Sequence, residues 1–271
     1  MSRYIKPNKL LLIAGPCQIE TRELALQTAS FLQSLQERYP ITVVYKSSFD
    51  KANRTSATGI RGIGRDKGLR ILEEVREATG LPVLTDVHSV EDVKACEGTI
   101  DIIQIPAFLC RQTDLLLSAG AHASCVNIKK GQFLHPSDML YAAEKVKAAG
   151  QAEILLCERG SCFGYRDLVV DMRGLVIMRN IGFPVIYDGT HSVQSMGGAG
   201  GSSGGSREFI APLVRAAIAV GIDGLFLECH PEPHNAPSDG ASMVPLDEME
   251  PLIKVATTLF ETIQSVTTSP Q

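Results

Sequence analysis

Short apolar, β-branched runs alternate along the chain with longer amphipathic stretches, and the alternation repeats eight times. The runs predict strands at Leu10–Ala14, Ile41–Lys46, Pro82–Asp86, Ile100–Ile105, Ser124–Ile128, Glu153–Cys157, Pro184–Tyr187 and Gly224–Leu227. The stretches between predict helices near Glu23–Arg38, Lys67–Thr79, Val90–Cys96, Thr113–Ala119, Ser137–Ala148, Met172–Asn180 and Ser206–Val220, with a last one over Leu246–Gln264. In the second of these, Leu69, Leu72 and Val75 recur at the helical period, with charges on the opposite face. Strands that alternate with helices pair in parallel. Eight such units predict an α/β fold of the closed (β/α)8 TIM-barrel type rather than an open sheet. Such barrels take roughly 250 residues. The 271 residues therefore make one catalytic domain, 1–271, with a short N-terminal extension over 1–9.

Polar or ionisable residues stand at the C-terminal end of every predicted strand. Strand one runs into Gly15-Pro16-Cys17, and strand two ends at Lys46 and leads to Asp50-Lys51-Ala52-Asn53-Arg54. Strand three delivers Asp86 and His88, strand four Gln104, strand five Lys129 and Lys130, and strand six Glu158 and Arg159. Strand seven gives Asp188 and His191, and strand eight Glu228 and His230. Parallel barrel strands all aim their C-terminal ends at one rim, so these side chains are expected to converge on one site. The segment Gly197–Gly205 has the composition of a flexible linker; lying after strand seven, it reads as a lid, about 195–206, that closes over bound substrate.

Composition narrows the chemistry. Hydrophobic content of 44% and charged content of 21% are those of a folded globular chain. A net charge of −4 makes no case for nucleic acid, and no apolar run approaches the roughly 18 residues of a membrane span. Leu10–Ala14 is too short for a signal-peptide core, so the seven scattered cysteines read as reduced thiols of a cytoplasmic protein. Against this anionic background Lys51, Arg54, Lys129 and Arg159 stand at strand ends, the arrangement for a ligand with several negative charges. Gly59-Ile-Arg-Gly-Ile-Gly64 lacks both Walker spacing and a preceding strand, so no nucleotide or organic cofactor is expected. Cys17, His191, Glu228 and Asp239 offer one sulfur, one imidazole and two carboxylates, which suits a catalytic divalent metal such as Zn, Fe or Mn. If Glu228 faces inward, Cys229 faces away.

Several long motifs carry a resemblance. Lys46-Ser-Ser-Phe-Asp-Lys-Ala-Asn-Arg54, Gln104-Ile-Pro-Ala-Phe-Leu-Cys-Arg-Gln-Thr-Asp114 and Asn127-Ile-Lys-Lys-Gly-Gln-Phe133 closely resemble the KDO 8-phosphate synthases. So do Glu158-Arg-Gly with Phe163-Gly-Tyr165, Asp188-Gly-Thr-His-Ser-Val-Gln194 and Glu228-Cys-His-Pro-Glu-Pro233, in order from about Leu11 to the final helix. That family condenses phosphoenolpyruvate with arabinose 5-phosphate and water, releasing phosphate and giving the eight-carbon sugar acid phosphate of lipopolysaccharide. The resemblance implies that Lys51, Lys129, Arg159, Gln104 and Ala107 hold phosphoenolpyruvate, with Lys46 beside them. It places Asn53, Arg54 and Thr55 on the arabinose-phosphate side, where Arg111 reaches in from a neighbouring subunit of a homotetramer. Thr55 stands where many members have serine. Cysteine after Gly-Pro marks the metal-requiring members, which implies Cys17, His191, Glu228 and Asp239 as ligands. Asp86 and His88 are candidates for handling water and protons. Arg54-Thr55-Ser56 is also similar to the DAHP synthases, which use erythrose 4-phosphate, whereas Lys-Ala-Asn at 51–53 favours the five-carbon sugar. From a different class stands a catalytically silent sensor of sugar phosphate or metal.

Overall fold

The computed structural model describes residues 2–52, 59–164, 167–195 and 204–267. Eight strands carry the fold: β1 Leu10–Gly15, β2 Ile41–Lys46, β3 Val83–Asp86, β4 Ile102–Ile105, β5 Cys125–Lys129, β6 Glu153–Glu158, β7 Val185–Asp188 and β8 Gly224–His230. Each pairs in parallel with the next, and β8 closes on β1 with Leu12 opposite Leu225 and Gly15 opposite Glu228. Among the described residues eight α-helices flank them: α1 Arg22–Arg38, α2 Arg65–Thr79, α3 Val90–Cys96, α4 Thr113–His122, α5 Met139–Ala149, α6 Arg173–Arg179, α7 Ile210–Val220 and α8 Leu246–Thr267. The closed (β/α)8 barrel read from the sequence is the fold.

Local chemistry sets the helix ends. Thr21 and Ser89 accept hydrogen bonds from Leu24 and Asp92 and so satisfy orphan amides of α1 and α3. Gly80, left-handed at φ 68°, ends α2. Buried Ile71, Leu72 and Val75 form the inner stripe of α2, with Leu69 at its margin.

Strand residues divide by parity into two cores. Leu10, Leu12, Val43, Tyr45, Ile103, Val126, Leu156, Leu225 and Leu227 face the helices. Leu11, Ile13, Val44, Leu84, Ile102, Cys125, Leu155, Cys157, Ile186 and Phe226 fill the barrel interior. Tyr4 joins the interior set from below; its hydroxyl donates to Asp101 O, while Ser2 Oγ donates to Glu153 Oε2 at 2.7 Å, so this segment packs on the strands' N-terminal ends. Counting upward by twos along each interior row leads to Lys46, Asp86, Gln104, Asn127, Lys129, Arg159, Asp188 and Glu228. The apolar plug is thus the floor, and the polar ring above it the site.

The structure differs from the sequence reading at element ends. Strand β8 runs to His230 because Val244–Pro245 adds a parallel bridge to it. Helices α5 and α7 begin late, after the single 3₁₀ turns Pro136–Asp138 and Arg207–Phe209. Two antiparallel pairings were not read: Ser161–Phe163 with Asp167–Val169, and Gln194–Ser195 with Gly204–Gly205. Runs of two or three residues are too short to show a period. The lid expected at about 195–206 falls largely outside the described residues; its described part is this pairing at its base.

Candidate active site

One corner of the ring gathers Cys17, Glu228 and Asp239, whose ligand atoms all lie within 4.8 Å of one another. The chain can turn there because Gly15 ends β1 at φ 152°, where an added Cβ would stand 2.1 Å from Lys46 O. Pro16 then carries Cys17 inward, and its thiol donates to Asp239 Oδ2 at 3.0 Å. Asp239 itself is held at φ 53°, left-handed backbone that costs a non-glycine residue and is concentrated at functional sites. Glu228 is fully buried, and its two oxygens differ: Oε1 accepts from Lys46 Nζ at 2.5 Å, while Oε2 has no hydrogen-bond partner among the described residues. His191 Nε2 stands 3.6 Å from that Oε2. An orphaned buried oxygen beside a thiol and a second carboxylate fits a divalent ion; His191 lies outside the group of three and meets it at Glu228.

Around the rest of the ring the cations are spaced by acceptors. Lys46 Nζ also donates to Cys17 O at 2.9 Å; Lys51 Nζ lies 3.6 Å from Asp86 and 3.9 Å from Glu228. Asp86 takes Ser48 Oγ at 2.6 Å on one oxygen and Gln104 Nε2 on the other; Gln104 Oε1 in turn accepts from Asn127 Nδ2 at 2.8 Å. Lys129 Nζ donates to Asp188 Oδ2 at 2.6 Å and lies 3.8 Å over the Phe226 ring. Arg159, 5% exposed, donates to Gln194 Oε1, and its Nε has no partner among the described residues. Ala107 lies buried on the turn Ala107–Leu109 after β4, and His88, half-buried, leaves Nδ1 without a partner among the described residues.

The electrostatics are set by burial against close charge. Burial raises the Asp86 and Asp188 carboxyls, but Lys46, Lys51 and Lys129 around the first, and His191, Lys129 and Arg159 around the second, outweigh it and hold both well below the carboxylate range. Glu228 is lowered in the same way: burial opposes, while Lys46, His191 and Lys51 prevail. Burial would lower Lys51, yet Cys17, Glu228 and Asp86 raise it, so it is a fixed ammonium. Burial, then Asp239 and Glu228, push the Cys17 thiol up, which matches its role as hydrogen-bond donor here.

Of the residues read from the sequence, Cys17, Lys46, Lys51, Asp86, Gln104, Lys129, Arg159, His191, Glu228 and Asp239 meet in this ring. Asn53, Arg54 and Thr55 lie outside the described residues. Arg111 does not enter this chain's own ring: it is exposed beside α4, lining a surface cavity with Tyr141 and Lys145. The expectation that every strand end converges is corrected at Lys130 and Glu158. Strand parity turns both away, and they pair with each other at 3.6 Å, Lys130 also donating to Gly160 O. His230 is tied to Glu20 at 3.1 Å. Cys229 faces the outer core, as parity requires. Ser48, Asn127 and Asp188 are ring members that sequence reasoning left without a role; the signal that finds them is the strand's alternation, which puts Ser48 two positions from Lys46, Asn127 two from Lys129 and Asp188 two from the interior Ile186.

A family model, DAHP synthetase I family, matches residues 6–265. The chain belongs to this family. Within the DAHP synthetase I family its kinship is narrower. A protein of Caulobacter vibrioides named 2-dehydro-3-deoxyphosphooctonate aldolase is 55% identical over 245 residues, 90% of this chain and 85% of the relative. Proteins of the same name from Acidithiobacillus ferrooxidans and Rhodopseudomonas palustris are 55% and 57% identical, again over 90% of this chain and over 87% and 86% of theirs. That name is the other name of the KDO 8-phosphate synthases, so the kinship read from the motifs is shown.

Proposed function

We propose that the chain is a transferase that condenses phosphoenolpyruvate with D-arabinose 5-phosphate and water, giving KDO 8-phosphate and inorganic phosphate. The observation that carries this reading is one buried ring in which Lys51, Lys129 and Arg159 stand beside Cys17, Glu228 and Asp239. The name of the relatives, 2-dehydro-3-deoxyphosphooctonate aldolase, supports the same product. In the reaction C3 of phosphoenolpyruvate bonds to the aldehyde carbon of the sugar, a water oxygen bonds to C2, and the C2–O bond to phosphate breaks. Lys51, Lys129 and Arg159 hold phosphoenolpyruvate, with Lys46, Gln104 and Ala107 shaping the pocket; Asn53, Arg54 and Thr55 take the sugar phosphate. Holding two mutually repelling anions in reach turns a bimolecular encounter into a positioned one. Asp86, kept ionised by its lysines, is an acceptor for the proton of the attacking water, with His88 beside it.

Cys17, His191, Glu228 and Asp239 would hold the divalent ion; bound there, it supplies a Lewis acid that orients the aldehyde without redox change. The four carboxylates Asp86, Asp188, Glu228 and Asp239 balance the four cations Lys46, Lys51, Lys129 and Arg159. Two phosphorylated ligands therefore need further positive charge, for which Arg54 and the ion are the sources. The loop at 195–206 acts as a lid, supported by the Gln194–Gly205 pairing at its base and by the Arg159–Gln194 bond. A homotetramer is supported by exposed Phe108, Phe133, Tyr141 and Phe163, of which Tyr141 lines one cavity with Arg111. No helix among the described residues is long and apolar enough to cross a membrane, and seven unpaired thiols suit the cytoplasm.

The family model carries the DAHP name, which keeps erythrose 4-phosphate as the second sugar to test. Phosphate release is measured with each sugar, before and after chelation. Turnover with arabinose 5-phosphate that chelation abolishes is the expected result. Preference for erythrose 4-phosphate would overturn the assignment, and tight binding without phosphate release would make the protein a sensor.

A further inference from the structure

We propose that Asp188 is a positioning residue that sets the tautomer of His191, so that Nε2 and not Nδ1 is the atom offered to the metal. The inference rests on the metal reading above.

Asp188 ends β7 and is fully buried. Its two oxygens have separate tasks. Oδ1 accepts the backbone amides of Thr190 at 3.1 Å and His191 at 2.8 Å, which folds the turn that carries the histidine. Oδ2 accepts Lys129 Nζ at 2.6 Å and faces His191 Nδ1 at 2.8 Å. Both Asp188 oxygens already accept, from two backbone amides and from Lys129 Nζ, so a contact of 2.8 Å places the hydrogen on Nδ1; a bare lone pair there would face another. Lys129 Nζ, 3.2 Å from Nδ1, is a donor and cannot stabilise the alternative without opposing lone pairs on Asp188 and the ring. A ring that donates from Nδ1 can offer a metal the lone pair of Nε2 and no other.

That lone pair points where the orphaned oxygen is. Nε2 and Glu228 Oε2 are 3.6 Å apart, too long for a hydrogen bond. Two ligands bound tetrahedrally at about 2.0–2.1 Å stand roughly 3.3 Å from each other, so the spacing suits neighbouring ligands of one ion. The ring is held from its side by Phe226, centroid to centroid 5.6 Å, and Thr190 Oγ1 accepts the Glu228 amide at 2.8 Å. Asp188 therefore fixes turn, ring and tautomer together, and shares its outer oxygen with a substrate-binding lysine.

The test uses the full chain and Co2+ or Zn2+ alone. In Asp188→Asn the amide oxygen keeps the turn while the NH2 faces the ring, which moves the imidazole hydrogen to Nε2 and blocks that donor. Affinity measured by competition with a chromophoric chelator is expected to fall about 10–100-fold. The Co2+ absorption spectrum should keep its thiolate band while shifting toward fewer nitrogen ligands. In a His191→Ala background Asp188→Asn should change the affinity no further. A Kd within about twofold of wild type, or an equal loss in the His191→Ala background, would overturn the proposal. Imidazole 15N shifts of the metal-free wild type, followed to a pH at which the ring is neutral, decide even if the variant fails to fold: a neutral ring with its hydrogen on Nε2 and Nδ1 bare sinks it. Wild type that binds neither ion would instead bring down the metal reading itself, a result distinct from equal binding by wild type and variant.

Discussion

A lysine ammonium taken out of water costs several kcal/mol unless its partners offset it, and Lys46 is 1% exposed with Glu228 and Cys17 O as those partners. Removing one half of a buried pair leaves the other uncompensated, at about 3–5 kcal/mol. Lys51 and His191 stay near Glu228, so Lys46→Met should sit at the lower end, about 3 kcal/mol by urea denaturation; an unchanged midpoint would mean that Glu228 is protonated in the folded chain. Cys17→Ala removes a small side chain at the pocket edge and should leave the circular dichroism spectrum intact. It should also abolish the cobalt–thiolate band and metal-supported turnover. Activity untouched by chelation in the wild type would remove the metal from the mechanism. Cys17 and Glu228 were legible in the sequence because sulfur and carboxylate at strand ends are chemically conspicuous, and Asp239 through the resemblance of the motifs. Asp188 was legible as a member of the rim but not in its role, since an acid at a strand end looks alike whether it binds substrate or steers a neighbour. Lys130 was misplaced beside Lys129 because only the pleat decides which of two adjacent lysines faces the axis.

Between elements, close packing is set by glycines as much as by leucines. Helices α4 and α5 meet where an added Cβ on Gly120 would stand 2.2 Å from Val146 O, and one on Gly150 would stand 2.0 Å from Gly120 O. These backbones touch without side chains between them. Gly120→Ala should therefore force the two helices apart and destabilise the fold by about 1–3 kcal/mol, although alanine is the better helix former. Differential scanning calorimetry would register the loss, and turnover per folded molecule should be unchanged. A gain in stability would show that the pair has slack. The amphipathic period announced each helix, but the 3₁₀ starts of α5 and α7 were hidden: Pro136 and the Arg207 turn fit either geometry until the helix docks.

For the whole molecule, buried titratable groups set the pH range of stability. Burial pushes the Cys96 thiol, and burial with Glu228 the Cys229 thiol, up to about 12, and burial raises Tyr4, Tyr45 and Tyr187 as well. The folded chain keeps these protons where the unfolded chain, with thiols near 8.5 and tyrosines near 10, releases them (about these values by reference). Stability is thus full below about pH 8.5 and falls as pH climbs toward about 12. The thermal midpoint should drop between about pH 8 and about pH 10.5, and Cys96→Ala should soften that drop. Asp86 and Asp188 act in the opposite sense: lowered in the fold, they stabilise above the usual carboxylate range, and that contribution is lost only in acid. A midpoint that rose with alkali would refute the assignment.

Order along the chain was enough to determine eight parallel units, their sequence around the barrel and the rim at which chemistry sits, because period and strand direction are local properties. Strand-end residue types likewise determined that anions and a metal are the ligands to consider. Which oxygen of Glu228 is taken by Lys46 and which has no hydrogen-bond partner among the described residues, and which nitrogen of His191 faces that oxygen, were decided by the closed barrel. Those choices depend on distances of a few ångströms between residues far apart in the chain, and on the low-dielectric floor of Phe226 and its neighbours that makes each pairing matter.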